Sequence, residues 1–202
     1  MNENQYSDLL IGINRITFEV IENYAAFVEI IQNLIKHEED PVPIPILMLL
    51  KNHFQIYIIE SSKILLSGDN HFLINTALNH ASRHLGKTEE VRELKKKLNE
   101  LKEVKDQIKS ARNKIFAHLD ASFSTYYNNM DFNKLELLNN TVINCVNFLN
   151  DSMNLYPKND YRFFKPTTIR NFYKLIFDEP NFTELIDNLE LESNLNFKDP
   201  GN

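Results

Sequence analysis

Apolar residues recur at three- and four-residue steps over most of the chain, the period of helices packed through one face. From Ser7, a candidate N-cap, to about His37 they fall at Leu9, Ile13, Ile16, Val20, Phe27, Ile31 and Leu34. That spacing predicts a first helix of about 30 residues, near 45 Å long, enough to run the length of a bundle. The segment DPVPIP (40–45) stops it. The run from about Ile46 to Ser67 is apolar nearly all round, which predicts a central second helix closed by Gly68. Asp69 or Asn70 can cap a short third helix that ends near Gly86. A fourth opens at Thr88, with Glu89 and Glu90 in its first turn where the helix dipole favours acids, and runs to about His118. A loop through Tyr126 and Tyr127 leads to a fifth, lined by Leu135, Leu138, Val142, Cys145, Leu149 and Tyr156 and closed by Pro157.

Composition narrows the fold class. The chain has 202 residues and a mass of 23.7 kDa, which fits one domain or one domain with an appendage. With only 4 glycines, and no proline between positions 46 and 156, sandwiches, barrels and doubly wound sheets lack the turns they need. No glycine cluster exists to build a Rossmann or P-loop site. The expected fold is all-α: an antiparallel bundle of about five helices over 1–157, with a helical appendage over 158–202. In that appendage Arg162, Lys165, Arg170 and Lys174 interleave with Phe163, Phe164, Phe172 and Tyr173 before the sequence turns acidic. This is the composition of a single-strand stacking platform, although such aromatics more often strap a tail to its bundle.

Charge and cysteine content exclude several function classes. A net charge of −6 and a pI near 5.5 give no bulk attraction to nucleic acid or anionic membrane, so a nucleic-acid site has to be a local basic patch. The polar start MNENQYSDLL has no basic n-region of a signal peptide, and the apolar stretches 41–50 and 52–59 are too short to span a bilayer. A cytoplasmic protein without a membrane partner is expected. The single cysteine, Cys145, allows no internal disulfide and reads as a core residue. His80 and His84 have the spacing of a two-histidine metal pair, but no glutamate follows His80 and no nearby acid completes a site. The expectation is no metal site and no cofactor. Glu60, on the apolar second helix, is a candidate buried carboxylate; it can orient an active-site arginine or pair with Lys63.

The fourth helix concentrates the chemistry. Residues 92–114 hold nine basic and four acidic side chains, +5 in a chain of −6. Lys105, Lys109 and Arg112 are spaced four and three apart and form one basic ridge, which with Lys114 is a candidate RNA contact. A solvated face with pairs such as Asp106–Lys109 is the plain alternative. At about 100° per residue Val104, Ile108, Ala111 and Ile115 make one apolar stripe, with Arg112 about 70° to one side and His118 about 50° to the other. In a continuous helix these two residues are about 120° apart around the axis and about 9 Å apart along it, so one chain does not aim both at one spot. A second copy packed on the stripe about a two-fold axis brings two arginines and two histidines into one cleft. Histidine near neutral pKa takes a 2′-hydroxyl proton, and arginine stabilises charge developing on phosphorus; metal-free RNA cleavage needs both.

Arg112-Asn113 followed by His118 resembles the Arg-polar-x(4–6)-His signature of the HEPN superfamily of helical proteins, many of them RNases. The string ARNKIFAHLD (111–120) is similar to the abortive-infection AbiU-like branch, whose motif runs Arg-(Asn/Asp)-Lys-x-x-Ala-His-x-Asp. The long first helix, the apolar second helix ending near Asp69, and MDFNKLELLNNTVINCVNFLN after the motif suit the same arrangement over about 5–157. The resemblance implies a metal-independent endoribonuclease acting as a toxin or in phage defence, with His118 as general base and acid, Arg112 as stabiliser and Asn113 as a polar support. It implies RNA as substrate, a homodimer, and an antitoxin or defence-system partner. Leu119 departs from the branch, which usually carries a basic residue there. Asp120 stands where HEPN toxins controlled by a nucleotidyltransferase carry tyrosine, which argues against that control. The alternative is a non-catalytic helical module that binds RNA or a partner protein through the same cleft.

Overall fold

A computed structural model describes residues 1–37, 44–66, 73–117 and 130–153. Among the described residues the chain forms six helices and no strand: α1 (Glu3–His37), α2 (Ile44–Leu65), α3 (Ile74–His84), α4 (Thr88–Glu100), α5 (Lys102–Ala117) and α6 (Phe132–Met153). The appendage expected over 158–202, with its interleaved aromatic and basic residues, lies outside the described residues.

The first helix starts earlier than Ser7. Asn2 accepts from the Gln5 backbone N–H at 2.9 Å, while the Gln5 side chain accepts from the Asn2 N–H at 3.0 Å. This is a reciprocal capping box of the N-x-x-Q kind, and it satisfies two donors at the start of α1. α1 and α2 then run antiparallel. Phe27 meets Phe54 and Tyr24 meets Tyr57, with ring centroids 5.0 and 5.1 Å apart, and Asn23 accepts from His53 Nδ1 at 2.9 Å. α6 lies antiparallel on α1: Phe132 stacks on Phe27 at one end, and at the other Asn14 and Asn150 exchange amide hydrogen bonds of 2.9 Å. Tyr57, wholly buried, donates to Asn139 Oδ1 at 3.2 Å and so ties α2 to α6 through the core.

α2 was expected to be central and is so only in part. Its inner face, with Phe54, Tyr57, Ile58 and Ile64, is buried, while Ile44, Leu47, Met48 and Ile56 stay exposed. Cys145 sits in the core, where burial pushes its thiol up to about 12, so it is inert as a nucleophile at neutral pH. α3 begins later than expected. Its N-cap is Leu73, which brings no side-chain cap, while Asp69 and Asn70 lie outside the described residues. Gly86 ends it with φ +68, and the Lys87 N–H turns back onto the Ala81 carbonyl at 3.3 Å. Glycine takes that left-handed conformation without a Cβ penalty.

The expected single helix over 88–118 is two helices, divided at Leu101, whose φ −96 and ψ 23 leave helical geometry. The reason lies in the phase of the apolar residues. On one continuous helix the stripe of α4 (Val91, Leu94, Leu98, Leu101) would point about 90° away from that of α5 (Val104, Ile108, Ala111, Ile115). Breaking at Leu101 lets α4 bury its stripe against α3 and α6, and α5 bury its own chiefly against α2. Lys134 of α6 bonds Glu103 at 2.6 Å and braces the start of α5.

Candidate functional site at the end of α5

The stripe on α5 fixes which way its polar residues face. Val104 and Ile108 are wholly buried, and Ala111 and Ile115 nearly so, within the chain's own core. This corrects the expectation that the stripe forms a two-fold seam: its apolar surface is already covered by the chain itself. What remains outward is the pair of flanks beside it.

One flank carries the basic ridge. Lys105, Lys109 and Arg112 fall within about 60° of one another around the axis. Lys105 and Arg112 are half-buried and Lys109 is exposed. Burial pushes the ammonium of Lys105 down; nearby Asp106 acts against this and Lys102 adds to it. The Asp106–Lys109 pair does not form, and among the described residues none of the three ridge cations has an ion-pair partner within 4.0 Å. Like charges at these spacings weaken a helix, by about 0.2–0.5 kcal/mol per pair, unless an anion neutralises them. Lys114, also exposed, falls on the opposite flank of the stripe, so helix geometry separates it from the other three.

Arg112 and Asn113 are linked. Arg112 donates Nη2 and Nε to the Asn113 side-chain oxygen, at 3.1 and 3.4 Å. An amide oxygen orients the guanidinium without cancelling its charge, as a carboxylate would. The remaining guanidinium donors are left for a ligand of planar, bidentate shape such as phosphate. Glu60 takes the second of its two expected roles: it pairs with Lys63, one turn on, and its other oxygen is buried without a hydrogen-bond partner among the described residues. His118 and Asp120 lie outside the described residues. No cluster of three or more His, Cys, Asp or Glu side chains that could hold a metal occurs among the described residues. Among them, too, no helix is long and apolar enough to cross a membrane.

Sequence reasoning missed the Arg112–Asn113 fork as a contact, although it placed a polar support at Asn113. Adjacent residues on a helix point about 100° apart, so the spacing alone does not suggest that they meet. The long arginine side chain closes that gap.

The helical bundle with an arginine-bearing motif at the end of α5 defines an all-α domain of the HEPN type. The family model HEPN_AbiU2, described as AbiU2, matches residues 69–172, half of the chain, and the chain belongs to that family. The match takes in α3 to α6 and runs on past residue 157. No curated protein and no solved structure matches the chain.

Proposed function

We propose that this AbiU2-family protein is a metal-independent endoribonuclease that acts in the cytoplasm as a toxin or abortive-infection effector in phage defence. The observation that carries the reading is Arg112: a guanidinium at the family motif, aimed by Asn113 and without a carboxylate partner among the described residues. His118 removes the 2′-hydroxyl proton as the 2′ oxygen attacks the adjacent phosphorus, and a proton is returned to the departing 5′ oxygen. The O2′–P bond forms and the P–O5′ bond breaks, leaving a 2′,3′-cyclic phosphate and a 5′-hydroxyl. Arg112 stabilises the charge on the phosphoryl oxygens, and Lys105 and Lys109 hold flanking phosphates.

The 120° that a continuous helix puts between Arg112 and His118 argues for a composite site across a homodimer. Because the apolar stripe is spent inside the chain, that seam has to use the polar flanks of α5 or another face. An antitoxin or defence-system partner that masks the ridge would complete the control. Cleavage of an RNA pool by the wild type, set against His118→Ala and Arg112→Ala, tests the proposal. A second reading, a module that binds RNA or a partner protein without cutting, is favoured by the ridge itself, since its three cations, without an ion-pair partner among the described residues, bind phosphate without help from His118.

A further inference from the structure

His80 and His84 stand one turn apart on α3, with ring centroids 4.5 Å apart and planes tilted by 32°. His80 is backed on α1 by Tyr6, whose ring stacks on it at 4.1 Å and 30°. Tyr6 is itself wholly buried, with its hydroxyl on the Ala77 carbonyl at 3.3 Å. One imidazole of the pair is therefore held by a fixed ring, while the other, His84, is exposed at the last turn of α3. The sequence offers only the spacing of a two-histidine pair with no acid to complete it. The structure adds that the rings already lie against each other and that one is pre-oriented.

An ion lies in the plane of each imidazole that binds it, at about 2.0–2.1 Å from the nitrogen, so the exposed His84 ring has to turn out of its tilted packing on His80 to bring one nitrogen of each ring onto a common ion. We propose that His80 and His84 form a two-histidine site for a divalent first-row transition ion, with water completing its shell. Imidazole donors with no carboxylate suit copper, nickel or zinc and give magnesium or calcium nothing they prefer. An ion across the pair pins the final turn of α3 beside the start of α1. The site is on α3 and takes nothing from Arg112 on α5, so it stands or falls apart from the ribonuclease proposal.

Calorimetric titration of the untagged full chain with copper, nickel and zinc chlorides tests this, with magnesium chloride as the hard-ion control. One ion should bind per chain, copper tightest, and magnesium should give no binding. His84→Ala should weaken each ion by at least about tenfold, since even the loss of a supporting residue around a metal costs 10–100-fold. His84 is exposed, so this variant should keep the wild-type far-UV circular dichroism, and His84→Gln serves as a second check. Unchanged affinity in both variants would put the ion on another histidine and overturn the proposal. So would the absence of binding by all three transition ions.

Discussion

Arg112 and Asn113 form a fork: one side-chain oxygen receives both Nη2 and Nε of the preceding residue's guanidinium. The contact stays within one helix, so it fixes the direction of the arginine without depending on how the helices pack. Asn113→Ala should free the guanidinium while leaving its charge. A hydrogen bond of roughly 1 kcal/mol corresponds to about a fivefold loss of cleavage rate. Asn113→Asp should weaken RNA binding more than Asn113→Ala does, because a carboxylate pairs with the arginine and repels phosphate. Filter binding and single-turnover cleavage of both variants read the difference.

The α5 stripe is core, and its energetics should show it. Ile108→Ala removes a wholly buried side chain and should cost about 2–5 kcal/mol. The urea midpoint should fall by the same amount at every protein concentration. A concentration-dependent loss would mean that the stripe serves a subunit interface after all.

Cleavage should survive excess chelator, because proton transfer and charge stabilisation are assigned to side chains. Chelator should at the same time strip any ion from His80 and His84. Activity that disappears with EDTA and returns with magnesium or manganese would overturn the proposed mechanism.

Burial lowers the pKa of His53 below its ordinary 6.5. Above that value both folded and unfolded chains hold the ring neutral, so its contribution to stability is fully present. Below it the unfolded chain takes up the proton first, and stability is lost as pH falls toward the folded-state pKa. The urea midpoint should therefore drop between about pH 7 and about pH 5, and less so in His53→Gln. A wild-type midpoint with the same slope as the variant over that window would assign the pH dependence to other groups.

The helical class was legible because apolar periodicity is strong in α1 and α6 and α2 is a long apolar run, which ends at Leu65, near its expected stop. The division at Leu101 was legible in principle: the phase of the apolar stripe jumps between Leu98 and Val104. Charge density across 92–114 drew the two helices into one. The start of α1 was hidden because Asn2 and Gln5 are polar and precede the first apolar repeat, so Ser7 looked like the better cap. At the site, the ridge of Lys105, Lys109 and Arg112 followed from spacing alone. What covers the α5 stripe did not, since periodicity marks a face as buried without saying whether α2 or a second copy buries it.

The most direct test is His118→Ala, assayed on a broad RNA pool with end-group analysis of the products. Wild type should leave 2′,3′-cyclic phosphate and 5′-hydroxyl ends. The variant should lose about 10²–10⁴-fold in cleavage while binding RNA as before, because the basic ridge is untouched. Arg112→Ala should impair both cleavage and binding. If His118→Ala cuts as fast as wild type, or if wild type cuts nothing while Arg112→Ala still weakens binding to RNA, the protein is not the ribonuclease proposed.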